Sequence, residues 1–208
     1  MTGAGTIRHV LLDADGVLQR LPGGWSAAIE PFAGERGQAF LEDAWRIEEP
    51  ALRGEADFLA DLPAVLQRHG LEASVRDLYR AVWHSIEVDA TSVALVEDLR
   101  GSGYGVHLGT NQEHHRATYM RRDLGFDQRF DVSVYSCEIG LAKPDPAFFE
   151  RAVAMVGCLP EEMLFVDDRA DNVQSARGVG LAGVHWELSE GHPQLLDLLA
   201  DHGVRPGS

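Results

Sequence analysis

Lysine is nearly missing from this chain: among its 18 Lys and Arg side chains only Lys143 is a lysine, and 33 Asp and Glu leave a formal net charge of −15. Binding to a polyanion rests on clustered basic side chains, so the shortage argues against nucleic acid or an anionic membrane as a partner. The same field repels a phosphorylated small molecule, and a site for one would need local cations. Cysteine is scarce too. Cys137 and Cys158 have neither disulfide-scaffold nor zinc-ligand spacing, which suits a reducing compartment and reads as two core thiols. No apolar run reaches the length of about 18 residues that a membrane helix needs, and no hydrophobic stretch of signal length precedes the first acids. A cytoplasmic protein is expected, monomeric or a weak homodimer, with polar ends at residues 1–5 and 205–208 that read as disordered.

What is present is enough apolar sequence, within 208 residues, for one well-buried α/β domain with an insertion. Four segments carry chemistry. The apolar run Val10-Leu11-Leu12 ends in Asp13-Ala14-Asp15-Gly16. A buried strand that closes on two acids two residues apart aims both out of one strand end, into the crevice where open α/β sheets bind ligands. Carboxylates crowded together repel unless a cation sits among them, which points to a hard divalent metal such as Mg²⁺. Read alone, the segment is equally an ordinary strand end with an Asp-Gly turn. Tyr104 to Leu108 is a second strand-like run, and it ends in Gly109-Thr110-Asn111 just before a helix, an anion-binding arrangement of hydroxyl, amide and helix N-terminus. Lys143 lies in the loop Gly140 to Asp145, before a helix that Pro146 opens. A lysine kept where every other strong base is arginine points to a need for a compact ammonium. Met163 to Val166 is a further apolar strand; it ends in Asp167-Asp168, with Asn172 on the helix that follows. Adjacent carboxylates at a buried strand end are again costly without a cation.

Together, Asp13-x-Asp15, Thr110-Asn111, Lys143 and Asp167-Asp168-x-x-x-Asn172 resemble the four motifs of the haloacid dehalogenase-like (HAD) hydrolase superfamily, over residues 7 to about 186. The Asp-Asp-x-x-x-Asn form is similar to the subfamily of small sugar-phosphate phosphatases, including α-D-glucose-1-phosphate phosphatase, and of epoxide hydrolase phosphatase domains. The resemblance implies an α/β fold: a Rossmann-like, mostly parallel sheet with helices on both faces. A core of residues 1–20 and 90–208 would carry a small all-helical cap, 21–89, inserted after the first strand. It also implies a Mg²⁺-dependent phosphatase of a small phosphorylated metabolite, a sugar phosphate by preference, working through an aspartyl-phosphate. Asp13 would be the nucleophile and Asp15 the acid and base. Thr110, Asn111 and Lys143 would bind the phosphoryl oxygens. Asp13, Asp168 and the Asp15 carbonyl would hold the metal, Asp167 would ligate it directly or through waters and Lys143, and Asn172 would support from behind. A phosphomutase, a haloacid dehalogenase or a catalytically silent regulatory module are the alternatives. Dehalogenases of this family lack an acid matching Asp15, and a silent module is free to lose the nucleophile.

Periodicity predicts helices over 39–48, 55–69 and 75–86 within the insertion, the second kinked or divided at Pro63, followed by alternating strands and helices to a last helix at 192–201. Such alternation implies a mostly parallel sheet. In the cap, Trp25 and Arg53 adjoin Gly-rich or turn-like sequence and are candidate substrate contacts, equally readable as structural. Trp45 reads as cap core and Arg46 as solvated. Three features read as uninvolved in chemistry. Gly178 to Gly183 matches G-x-G-x-x-G, but after a helix and before a strand, the reverse of a dinucleotide site. His114 and His115 point about a quarter-turn apart on a helix, which disfavours joint ligation and favours solvent exposure. The acids between Asp123 and Asp131 read as a solvated loop.

Overall fold

One short strand, apolar on both of its faces, organises the molecule. In the computed structural model, which describes residues 6–207, the run before Asp13 forms β1 (His9–Leu12). Val10 and Leu12 face one side of the sheet and Leu11 the other, all sealed from water. The chain then enters β2 (Gln19–Arg20), four helices, α1 (Gly24–Ala33), α2 (Gly37–Ala51), α3 (Phe58–Arg68) and α4 (Val75–Val82), and leaves by β3 (Glu87–Val88), which pairs antiparallel with β2. Next come α5 (Ala90–Gly101), β4 (Gly105–Thr110), α6 (His114–Arg122), β5 (Val132–Tyr135), α7 (Ser136–Ile139), α8 (Pro146–Val156), β6 (Met163–Asp167), α9 (Ala170–Gly178), β7 (Ala182–His185) and α10 (His192–Asp201).

The main sheet has the order β5-β4-β1-β6-β7, and every pair in it is parallel. Helices cover both faces. Leu95 of α5, Met120 of α6 and Leu199 of α10 pack on the Val10 and Leu12 side, while Phe148 and Phe149 of α8 and Ala176 of α9 pack on the Leu11 side. The chain reverses direction across the sheet at β1, and the pairing Leu12↔Val166 sets Asp13 beside Asp167 at the carboxyl ends of neighbouring strands. Open parallel sheets bind ligands at that switch point.

The helices α1 to α4 bury a separate core that includes Ile29, Phe40, Phe58, Leu62, Leu78 and Trp83. Side-chain caps start several helices: Asp57 accepts from Leu59 N (3.0 Å), Ser74 from Asp77 N, and Asp89 from Ser92 N (2.7 Å). The cap at Asp57 starts α3 at Phe58 rather than at 55, and α3 runs undivided through Pro63, which lies on the exposed face. Helix α1 departs from the sequence reading, which has no helix before residue 39. It is capped by Gly23, begins at Gly24 and contains Pro31, all breaking signals, yet Trp25, Ala28, Ile29 and Phe32 form a stripe that packs on α2 and α4. Tertiary burial outweighs local propensity there.

The carboxyl end also differs from expectation. Val204 is fully buried, Arg205 N donates to the Tyr104 hydroxyl, and Gly207 N donates to Ser102 Oγ, so residues 204–207 are tied to the sheet domain. Residues 1–5 and Ser208 lie outside the described residues. Among the described residues no helix is long and apolar enough to cross a membrane. Cys137 is buried and Cys158 half-buried; burial pushes the Cys137 thiol up to about 12 and raises Cys158, so neither ionises near neutral pH.

At the amino end of the sheet, opposite Asp13, His9 Nδ1 and His107 Nε2 are hydrogen-bonded at 3.1 Å. Burial, with His9 adding to it, pushes His107 down to about 4. A native pKa below the unfolded value of about 6.5 means stability present at neutral pH and lost as pH falls through that window. Replacing His107→Gln removes this titration. In urea unfolding, the stability advantage of the wild type over the variant is therefore expected to shrink between pH 7 and pH 4.5; a constant difference would show that His107 does not titrate with unfolding.

Candidate active site

Asp13 leaves the end of β1 with its backbone N–H bonded to Val166 O (3.0 Å), which holds it against β6. Its carboxylate is 9% exposed, and Lys143 Nζ engages its Oδ1 at 2.8 Å. The same ammonium, 1% exposed, donates to Asp167 Oδ2 at 2.7 Å. Asp167 is fully buried at the end of β6, held further by Asn172 Nδ2 (3.0 and 3.1 Å) and by Arg169 N (2.8 Å). One cation thus ties together two strand ends. Asn111 fixes the lysine loop: its Nδ2 donates to Lys143 O and its Oδ1 accepts from Lys143 N, both at 2.9 Å. Both ends of that amide are therefore committed to the Lys143 backbone, a clamp that the sequence reading, with Asn111 among the phosphoryl ligands, does not contain. Thr110 Oγ1 is buried at the end of β4 and accepts from Gln112 Nε2 (3.0 Å), which leaves its proton free to donate.

Asp168 is half-buried and closes the cluster. Gly16, with φ +78°, lets it approach: a Cβ there would sit 2.5 Å from Asp168 Oδ2. Oxygens of Asp13, Asp167 and Asp168 lie within 4.8 Å of one another. Burial, and the neighbouring Asp167 charge, push Asp13 up to about 7 despite Lys143, and push Asp168 up to about 6. Burial would neutralise Lys143, but Asp13 and Asp167 hold its pKa above the usual ammonium range. The cluster carries more carboxylate than one ammonium offsets. An all-oxygen donor set with surplus negative charge fits Mg²⁺.

Asp15 is surrounded differently. Burial raises its pKa, but Arg116 overrides this and holds the carboxyl below its ordinary value. Arg116 donates through Nη1 to Oδ2 (2.5 Å) and through Nη2 to Oδ1 (2.8 Å), while Gln19 Nε2 (2.9 Å) and Gln112 Nε2 (2.8 Å) complete the shell. The sequence reading has none of these three. Arg116 stands in the core-facing stripe of α6 with Ala117 and Met120, and a charge within an apolar helical face is the signal that could have revealed it.

The helices α1 to α4 reach this site through a polar seam. Arg116 Nε donates to Trp83 O (2.8 Å), and its guanidinium lies 5.8 Å from the Trp25 ring. Trp83 Nε1 donates to Glu48 (3.0 Å), the Tyr79 hydroxyl to Glu113, and His115 pairs with Asp57 (2.8 Å). His115 is thus half-buried at the seam rather than solvated, while His114 is exposed. Trp25 packs edge-on against Trp45 and Trp83. Trp45 is part of the helical core, and Arg46 is exposed beside Asp43. Arg53 turns to Glu49 (3.5 Å) and bonds none of Asp13, Asp15, Asp167 and Asp168, although Gly54, at φ +69°, brings its backbone against Cys137 O near the lysine loop. The Gly178 to Gly183 segment ends α9 and enters β7, so it follows a helix and leads into a strand. Of the acids at 123–131, Asp127 pairs with Arg121, and Asp131 with Arg100 and Val106 N, so they organise a loop.

A family model for haloacid dehalogenase-like hydrolases matches residues 7–180. The chain belongs to that family. A sesquiterpene phosphatase of Aspergillus oryzae is 30% identical over 110 residues, 51% of this chain and 55% of that protein. The match thus spans about half the length of that relative. A phosphoserine phosphatase of Thermus thermophilus is 27% identical over 192 residues, 86% of this chain and 71% of its own. The crystal structure of a HAD family enzyme from Bacteroides thetaiotaomicron, in complex with magnesium and inorganic phosphate, superposes with a TM-score of 0.76 at 22% identity, covering 91% of this chain and 98% of that one. At that identity the superposition establishes the fold.

Glu48 is half-buried in this seam and accepts from Trp83 Nε1. Withdrawal from water pushes it up to about 7, with Arg116 opposing and Glu113 assisting. A native pKa above the unfolded value of about 4.3 means stability that is full at low pH and lost as pH rises through 7. Glu48→Gln keeps an acceptor for Trp83 Nε1 and removes the charge. The variant is expected to melt at a higher temperature than the wild type at pH 8 and at an equal or lower one at pH 4.5; the reverse order would place the Glu48 charge in a favourable setting.

Proposed function

We propose that this HAD-family chain is a Mg²⁺-dependent phosphatase that hydrolyses a small phosphorylated metabolite, a sugar phosphate by preference, through an aspartyl-phosphate on Asp13. The observation that carries the reading is the Lys143 ammonium shared by Asp13 and Asp167 at the switch point of a parallel sheet. Relatives named as phosphatases, and a structural neighbour complexed with magnesium and phosphate, support the same reaction class.

Lys143 bonds Oδ1 of Asp13, and among the described residues no other side chain bonds that carboxylate, which leaves an oxygen to attack phosphorus. The phosphorus–ester bond breaks as the Asp13–phosphorus bond forms, and Asp15 delivers the proton that the leaving oxygen needs. In the second half, Asp15 takes a proton from water, which displaces phosphate and returns Asp13. Arg116, which holds the Asp15 carboxyl below its ordinary value, favours the ionised form that the second half requires. Thr110 Oγ1 and Lys143 Nζ face the transferred group, and Asn111 keeps Lys143 in place. Asp13, Asp168 and the Asp15 carbonyl, with Asp167 close by, would hold Mg²⁺. When bound, the metal offsets the charge of the phosphoryl oxygens and of the carboxylates. Residues 21–89, which include helices α1 to α4, would act as a cap over the site, excluding water and selecting the leaving group. Trp25, between Arg116 and two tryptophans, is the better placed of the two candidate cap contacts.

Hydrolysis of p-nitrophenyl phosphate with Mg²⁺, lost on addition of EDTA, is the direct test. Asp13→Asn should remove turnover almost entirely without unfolding the chain; substantial residual rate would exclude Asp13 as nucleophile. A wild type inert toward a panel of sugar and other phosphate esters would favour the silent module.

The metal can be followed without turnover. Ligand that binds only the folded chain stabilises it by about 2.7 kcal/mol at about 100 times Kd. Mg²⁺ should therefore raise the melting temperature of the wild type and leave Asp168→Ala unshifted. Equal shifts in both proteins would remove Asp168 from the site.

A further inference from the structure

We propose that Arg116 is a positioning residue that makes the alignment of Asp15 conditional on the helical insertion being seated over the site. The proposal rests on the phosphatase reading for what Asp15 does and on geometry alone for what Arg116 does. The guanidinium spreads its donors over both parts of the molecule. Nη1 and Nη2 grip the two oxygens of Asp15, Nη1 also bonds Gln112 Oε1 (2.8 Å), and Nε bonds the main-chain oxygen of Trp83 at the end of α4. A planar fork bonded to both oxygens fixes the plane of a carboxylate, which a single-point ammonium cannot do.

Only one of these contacts is made by the insertion's backbone, and it is at Nε, the nitrogen that sets the direction of the fork. Trp25 of α1 lies over the same guanidinium, so two helices of the insertion bear on it. The side chain is 4% exposed. Lifting the insertion removes the Trp83 acceptor and admits water to a cation that is otherwise sealed, and the fork loses its fixed orientation. Asp15 has a second link to the same motion. Gln19, which also bonds it, belongs to β2, the strand by which the chain enters the insertion, and β2 pairs with β3, the strand by which it leaves. The carboxylate is therefore held from the roof through Arg116 and from the hinge through Gln19. With the insertion seated, Asp15 is planar-locked beside Asp13. With it raised, both holds loosen together, and the aligned orientation of Asp15 is confined to the seated state.

The experiment compares wild type, Arg116→Lys and Arg116→Met, with two readouts. In the first, kcat and KM are measured with Mg²⁺ for an alkyl phosphate and for p-nitrophenyl phosphate. Loss of positioning of an acid-base group is expected to lower kcat for the alkyl ester by about 10²-fold, with a smaller loss for the aryl ester, whose leaving group departs without a proton. KM should change little, and the lysine variant, which keeps charge but not the fork, should not rescue. In the second, hydrogen exchange is followed in the Mg²⁺-free protein, where no turnover is needed. Arg116→Lys should speed exchange in the segments 83–88 and 17–20 while leaving β1 and β6 as slow as in the wild type. Faster exchange throughout both strands would mean general destabilisation and overturn the proposal. So would a lysine variant with wild-type kcat on the alkyl ester, equal losses on both esters, or unchanged exchange at the seam. An inert wild type would instead defeat the phosphatase reading, and the exchange result would still decide whether Arg116 couples insertion and core.

Discussion

The ammonium of Lys143, lodged between Asp13 and Asp167, is the contact on which the rest of the site depends. Three buried charges at two neighbouring strand ends are tolerable only as a set, because removing the cation would leave two carboxylates to repel in a medium that screens them poorly. The surrounding bonds hold that set in place. Asn111 pins the lysine loop by its backbone, and Asn172 with Arg169 N holds Asp167 at the end of β6. An arginine fork would need a wider approach than the single Nζ that here meets two oxygens below 3 Å. A compact ammonium therefore suits this position, where two buried carboxylate oxygens converge on the same donor.

Around this fixed centre the molecule divides by the chemistry of its contacts. The sheet and its two helical layers are joined by apolar side chains, and α1 to α4 bury an apolar core of their own. Between the two lies a seam of Arg116, Glu48, Glu113, Tyr79 and the Asp57–His115 pair. Polar interfaces within a chain separate more readily than apolar ones, because their groups can exchange partners with water. The seam also touches the chemistry, since one of its members is the guanidinium that grips Asp15. The orientation of Asp15 and the contact between insertion and core thus share an element.

Legibility from the sequence followed the range of the interactions. Strand ends were readable because burial of short apolar runs such as Val10 to Leu12 and Met163 to Val166 is a local property, and the acids that follow them have few places to go. Asp13, Asp167, Asp168, Lys143 and Thr110 do converge at one end of the sheet. Helix α1 was invisible because its glycines and Pro31 speak against a helix, and only packing on α2 and α4 compensates. The ordered segment 204–207 depends on Tyr104 and Ser102, about a hundred positions earlier, which no local pattern connects to it.

The chain's order of motifs determined the class of fold and the acids and base at its centre, since short apolar runs and strand-end carboxylates are written in consecutive residues. Which residues surround those groups was decided only in three dimensions. Asn111 holds Lys143 because β4 and the α7–α8 loop meet, and Asp15 is gripped by Arg116, Gln19 and Gln112, residues 101, 4 and 97 positions away. The physical reason is the same in each case. A carboxylate's ionisation and direction depend on every donor within hydrogen-bonding distance, and such distances join parts of the chain whose separation in sequence carries no trace of the contact.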